Sequence, residues 1–139
     1  MGTPIYQTIK TSAPGQWTRR VNQYSLPKLQ EWEWGYIAGI VDGEGCLGLY
    51  QSKRDGAVTR FAIGQKDVNL LFWIRNKLNS GGVYQIKSTN QWTYNITNCP
   101  TKLAILLKIL PYLIVKQTAA MIVIEYLKTK VEVIDGYSE

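Results

Sequence analysis

From Pro27 onward, the apolar positions of the chain fall at helical spacing. Leu29, Trp32, Tyr36, Ile37 and Ile40 line one stripe, and Pro27 suits a first turn. The stripe stops near Asp42–Gly45. CLGLYQSK then alternates with period two, KRDG supplies a turn, and VTRFAIGQ returns as a second strand. Asp67 is placed to cap the amphipathic run VNLLFWIRNKL, which ends at NSGG. VYQIK and WTYNIT form a second hairpin around STNQ. Asn98 with Pro100 opens TKLAILLKIL, Pro111 interrupts it, and a last helix runs from about Lys116 to Lys128. This order, αββαββα(α), predicts an α+β layer in which helices cover a four-stranded antiparallel sheet. Residues 1–25 show no sustained period and read as an extended arm, 26–130 as the domain, and 131–139 as a C-terminal tail.

Period-two alternation also separates the two faces of the sheet. Leu47, Leu49, Phe61, Ile63, Tyr84, Ile86, Trp92, Tyr94 and Ile96 read as core. The opposite face then carries Tyr50, Ser52, Arg54, Arg60, Ala62, Gln85, Lys87, Thr93 and Asn95. Those positions contain no acid, and their amides, hydroxyls and cations suit hydrogen bonding to base edges and phosphates.

Composition narrows the chemistry. The chain has 139 residues with 45% hydrophobic content, five Trp and nine Tyr, enough for a folded domain with its own core. The formal charge is +6, and the basic excess lies in the middle: residues 45–100 hold seven Lys or Arg against two Asp. A polyanionic partner fits that distribution. There is no histidine, which excludes His-based nucleases, His/Cys zinc sites and Ser-His-Asp hydrolysis. Cys46 and Cys99 have no metal spacing and make no disulfide framework, which fits a reducing interior. No apolar run reaches the length of a membrane span. The first 30 residues carry four bases and no acid, a composition compatible with an organellar transit peptide and not with a secretory signal.

The stretch WGYIAGIVDGEGCLGLY, residues 34–50, asks for an explanation. Gly35 and Gly39 lie inside a helix, each at a cost of about 1 kcal/mol relative to Ala. With Gly43 they are spaced i, i+4, i+8 and, with Ala38 beside them, form a bare stripe against which a second helix backbone can pack closely. Another subunit is the obvious source of that helix. The helix then ends on Asp42 and Glu44, where unpaired carbonyls already concentrate negative charge. Acids there become favourable once a divalent cation occupies the oxygen-rich spot. Two such helix ends at a symmetry axis would make a nuclease-like arrangement.

IAGIVDGEG, Ile37 to Gly45, resembles the signature of the LAGLIDADG homing endonucleases. FAIGQK, GGVYQI and PYLIVKQ follow in the order of the single-motif, homodimeric members, and the resemblance covers roughly residues 28–128. It implies an αββαββα fold with a saddle-shaped sheet in the DNA major groove and the motif helices, through Gly35, Ala38, Gly39 and Gly43, at a homodimer interface. It implies that Glu44 and the Gly43 carbonyl bind magnesium or another divalent cation such as manganese, with Asp42 supporting the helix end. Gln65 matches a glutamine that orders active-site water, and Lys116 a lysine that stabilises developing negative charge. The Arg that often completes that basic pocket falls at Asn69, so the role is either lost or moved to a residue such as Lys66.

The expected activity is therefore site-specific, magnesium-dependent cleavage of both strands of a long, pseudo-palindromic DNA, with double-stranded DNA and a second copy as partners and no membrane. The alternatives are a non-catalytic nucleic-acid binder on the same fold, such as an intron RNA maturase or regulator, and a small interaction domain that dimerises through the glycine stripe. The family occurs inside cells in chloroplast, mitochondrial, bacterial, archaeal and phage settings, which leaves the compartment open. QWTRRVN in the arm, with Trp17, Arg19 and Arg20, offers a further backbone or minor-groove contact.

Overall fold

The computed structural model describes residues 8–11 and 22–133, with side chains from Tyr24 to Val131. The elements are β1 (Thr8–Thr11), β2 (Asn22–Gln23), α1 (Glu31–Glu44), β3 (Gly45–Ser52), β4 (Gly56–Gln65), α2 (Val68–Leu78), β5 (Gly82–Ile86) and β6 (Gln91–Asn95). They are followed by α3 (Cys99–Ile109), a 3-10 turn (Leu110–Tyr112), α4 (Gln117–Lys130) and β7 (Val131–Val133). The main sheet has the order β3-β4-β6-β5, with every neighbour antiparallel. This is the expected αββαββα(α) arrangement. No helix among the described residues is long and apolar enough to cross a membrane.

Local chemistry sets most boundaries. Asp67 accepts from the Asn69 N–H at 3.0 Å and caps α2, and Asn98 accepts from the Thr101 N–H at 2.9 Å and caps α3. Asn79 ends α2 in the left-handed conformation at φ 54°. Pro111 stops α3 and passes the chain into the 3-10 turn. The first helix starts at Glu31, four residues after Pro27, because Glu33 reaches back to accept from the Gln30 N–H at 2.8 Å. The buried Glu33 carboxylate also meets Lys77 Nζ at 2.7 Å, joining the starts of α1 and the end of α2. The Lys77 hydrogen bond, with the Gln30 N–H, holds that carboxyl below its usual range.

The core lies between the helices and one sheet face. Trp34, Ile37, Ala38 and Val41 of α1, Leu71, Ile74 and Leu78 of α2, and Ala104, Ile105 and Val123 of α3 and α4 pack over Leu47, Phe61, Ile63 and Tyr94. Trp92 is partly buried against the same core and Ile96 lies within it. Leu49 is on this face but 36% exposed, since β3 is an edge strand.

In β5 the two faces are exchanged relative to the alternation reading. Tyr84 pairs with Thr93 and Ile86 with Gln91, so both lie on the open face, at 47% and 40% exposure. Val83 and Gln85 turn to the helix side instead. The turn at residues 87–90, with Asn90 at φ 59°, pairs Ile86 with Gln91, and that register fixes every side chain of the strand. The more apolar set loses because β5 is an edge strand.

The described parts of the arm and tail, residues 8–11, 22–23 and 131–133, are short strands. β1 pairs with both β2 and β7 in a second antiparallel sheet of order β2-β1-β7. The segment QWTRRVN falls on residues 16–22, and all of it but Asn22 lies outside the described residues.

One glycine of the motif is set by close approach. The Gly45 N–H donates to the Val41 carbonyl at the helix-to-strand junction, and a Cβ at Gly45 would lie 2.6 Å from that oxygen. Gly45→Ala is expected to cost about 1–3 kcal/mol, as overpacking does, read as a lower urea midpoint with an unchanged m-value.

Candidate functional site

The end of α1 is held by a reciprocal clamp. Both oxygens of Asp42 accept backbone N–H groups from the segment before α4: Oδ2 from Ile114 at 2.7 Å, Oδ1 from Val115 at 3.1 Å and from Lys116 at 2.9 Å. Lys116 returns the contact, its Nζ donating to the Asp42 carbonyl at 2.6 Å. A cation against the last turn of a helix also offsets the partial negative charge there. Partial burial pushes the Asp42 carboxyl up, but the three N–H groups and the Lys116 charge outweigh it and hold the group below its usual range.

This geometry separates the two acids of the motif. Asp42 has both oxygens committed to structure, whereas Glu44 and Gly43 are exposed at the helix end. Gln65 closes β4 at the same end of the sheet, just beyond Ile63, the ladder partner of Gly45. Its Oε1 accepts the Lys66 N–H at 2.9 Å and the Asp67 N–H at 3.5 Å, which leaves the Nε2 group as its outward donor. Asn69 is exposed in the first turn of α2, with its N–H on Asp67. Lys116 is half-buried, and Lys66 is exposed.

For a divalent cation the donor set is of the right kind but incomplete. One exposed carboxylate with carbonyls at a helix C-terminus suits a hard, oxygen-seeking ion. Among the described residues, no group of three or more His, Cys, Asp or Glu side chains converges on a metal position.

The glycine stripe is bare. A Cβ built at Gly35, Gly39 or Gly43 meets nothing within 4 Å. Ala38 does not belong to it, because it is fully buried among the core residues of its own chain. The stripe is flanked on α1 by Trp32 and Tyr36, 60% and 48% exposed, which lean on Trp73 with ring centroids 6.2 and 5.4 Å away. At its far end, the clamped segment presents Ile114 and Val115 at 85% and 75% exposure.

On the open sheet face, Tyr50, Ser52, Arg60, Ala62, Thr93 and Asn95 lie as the alternation indicated. Ala62 and Thr93 are nearly inaccessible at 3% and 6% and form its floor. Arg54 and Lys87 sit in the two hairpin turns, with Arg54 Nε 3.6 Å from Asp55. Ser52 Oγ accepts from the Asp55 N–H at 3.2 Å and shapes the first turn. Gln85 is replaced on this face by Tyr84 and Ile86. Cys46 and Gln91 also belong to it. The Tyr50 hydroxyl lies 3.6 Å from Cys46 Sγ, over Gly48, and Gln91 covers Gly64. The pairing register was the missing signal for these residues.

The family model described as LAGLIDADG endonuclease matches residues 37–130, more than half of the chain, and the chain belongs to that family. Similar solved structures include the homing endonuclease I-CvuI in complex with DNA, at 23% identity and TM-score 0.63 over 70% of this chain and 67% of that one. The archaeal intron-encoded homing endonuclease I-Vdi141I, complexed with DNA, gives the same identity, TM-score and coverages. The meganuclease I-AabMI, bound to uncleaved DNA, is 28% identical with TM-score 0.59, and the match covers 68% of this chain and 36% of that one. No curated protein matches.

The clamp is expected to carry stability as well as position. Asp42→Asn should destabilise by roughly 1.5–3 kcal/mol at neutral pH, the range for a hydrogen bond to a charged group. Because the folded value lies below the ordinary 3.8, this contribution is complete above that pH and is lost as pH falls through the depressed value. Urea titrations at several pH values should therefore show wild type and Asp42→Asn converging in acid.

Proposed function

We propose that the chain is a site-specific DNA endonuclease that hydrolyses both strands of a pseudo-palindromic target as a homodimer, with magnesium or another divalent cation. The observation that carries this reading is the division of labour at the end of α1: Asp42 is consumed by structure, Glu44 is exposed, and a bare glycine stripe leads up to it. One exposed motif carboxylate per chain, Glu44, matches one strand per chain. The DNA-bound states of I-CvuI, I-Vdi141I and I-AabMI support the nucleic-acid partner.

In this reading, two copies pack α1 against α1 along Gly35, Gly39 and Gly43, with Ile114 and Val115 against the partner. That arrangement brings the two Glu44 carboxylates and Gly43 carbonyls together. Glu44 and the Gly43 carbonyl would hold the cation, which when bound would supply Lewis acidity for phosphodiester hydrolysis. Gln65 orients water through Nε2. Lys116, rigidly positioned by Asp42, sets positive charge near the developing phosphorane oxygens. The open face, with Tyr50, Arg60, Asn95 and the turn cations Arg54 and Lys87, reads and grips the duplex.

Cleavage selection on a randomised plasmid library, with magnesium or EDTA, tests the reading. Pseudo-palindromic cut sites are expected for wild type with magnesium and for neither Glu44→Gln nor the EDTA arm. Equal cutting by Glu44→Gln would overturn the assignment. A second reading, a nucleic-acid binder without cleavage, is favoured by Asn69, which leaves the pocket without its expected arginine. It predicts specific retention of RNA or DNA by both proteins and no cuts.

The stripe provides a separate test. Gly39→Leu has open space around it in one chain and gains about 1 kcal/mol of helix propensity. It should leave monomer stability equal or higher while abolishing the dimer in sedimentation equilibrium. A dimer that survives the substitution would place the interface elsewhere.

A further inference from the structure

A cleft of about 940 Å³ opens towards the β3–β4 hairpin tip, away from the motif. It arises from a mismatch in strand length. β6 pairs with β4 only at residues 62–65, so residues 57–60 of β4 have β3 on one side and, among the described residues, no strand on the other. Two side chains cap that bare edge. The Tyr126 hydroxyl donates to the Ala57 carbonyl at 3.1 Å, and Lys102 Nζ donates to the Thr59 carbonyl at 3.2 Å and to Thr59 Oγ1 at 2.6 Å.

The two caps are not equivalent. A neutral hydroxyl suffices at Ala57, whereas at Thr59 the protein buries an ammonium group, with Lys102 only 4% exposed. No carboxylate among the described residues forms an ion pair with it. Burial of an unpaired cation is costly, and it pushes the Lys102 ammonium below the usual lysine range, with the nearby Cys99 acting in the opposite direction. Two more cations, Arg60 and Lys130, line the same cleft, against the single acid Asp55, which lies 3.6 Å from Arg54. Tyr50, Arg60 and Asn95 of the open face also line it, so the cleft is continuous with that face.

We infer that this cleft is a phosphate-binding site centred on Lys102 and flanked by Arg60 and Lys130, which takes a backbone phosphate of the nucleic acid where it leaves the open sheet face. The phosphate supplies the counter-charge that Lys102 lacks and accepts its remaining N–H. The source of the phosphate rests on the reading of the open face as a nucleic-acid surface; the site itself does not.

The test has two arms on the full chain. In the first, inorganic phosphate is titrated into isotope-labelled protein while the resonances of Thr59 and Lys102 are followed. A saturable shift is expected for wild type, weakened in Lys130→Gln and absent in Lys102→Met. Lys102→Met also removes the donor that caps Thr59, so retention of a single cooperative melt and a dispersed spectrum in this variant separates lost binding from lost folding. In the second arm, duplex DNA affinity is measured across a salt series. Lys102→Met should make the slope of log K against log salt shallower by about one per bound chain. No phosphate shift in wild type would overturn the site and reduce Lys102 to an edge cap. A phosphate shift with an unchanged salt slope would overturn the backbone assignment in favour of a free phosphate ligand. If wild type bound no DNA at all, the nucleic-acid reading would fail and the phosphate titration would still decide the site.

Discussion

The hydrogen bonds between the Asp42 carboxylate and the Ile114–Lys116 backbone are the constraint on which the candidate site depends. They join two segments far apart in the chain: the end of the motif helix and the approach to the last helix. Without them, the loop N–H groups would have no acceptor and Lys116 would have no fixed position. The return bond from Lys116 Nζ to the Asp42 carbonyl makes the clamp reciprocal, so the cation is placed by the same residue that the loop is anchored to. A negative group at a helix C-terminus is ordinarily unfavourable. Here it faces N–H dipoles and an ammonium, which reverses the sign.

The clamp also explains why the motif carries two acids with different surroundings. An aspartate with both oxygens satisfied is a poor ligand, because coordinating an ion would break bonds that hold the loop. Glu44 is the last residue of α1, takes no part in that network, and stays exposed. The path of the backbone thus leaves one of two neighbouring carboxylates bonded to the loop and the other open at the surface. Gly43 keeps the junction free of side chains, and Gly45 lets the strand start against the Val41 carbonyl.

The open surfaces follow the same economy. The α1 stripe, with its flanking Trp32, Tyr36, Ile114 and Val115, is apolar and lies opposite the face that Trp34, Ile37, Ala38 and Val41 bury in the core. The sheet face is polar at its rims, has Ala62 and Thr93 as a floor, and ends in a cleft with a buried cation. The bare glycine stripe and the polar sheet face with its cation-lined cleft therefore occupy different sides of one small core, and the motif end lies where β3 leaves α1.

Local sequence signals determined a good deal of this protein. Asp67 and Asn98 as caps, Asn79 and Pro111 as terminators, and the alternation in β3, β4 and β6 were legible because each depends on neighbours within a few residues. The nonamer at Ile37–Gly45 marked the helix end and its acids for the same reason. Tertiary structure alone decided the rest. The β5 face was settled by its pairing with β6 at the sheet edge, since a one-residue change of register inverts every side chain. Ala38 went to the core because helix orientation depends on what packs over it, not on its neighbours in the stripe. The pairing of β1 with β7, the clamp from Asp42 to Lys116 and the contact of Lys102 with Thr59 join residues separated by long stretches of chain. No local period encodes such contacts; they exist only once the core has brought distant segments together.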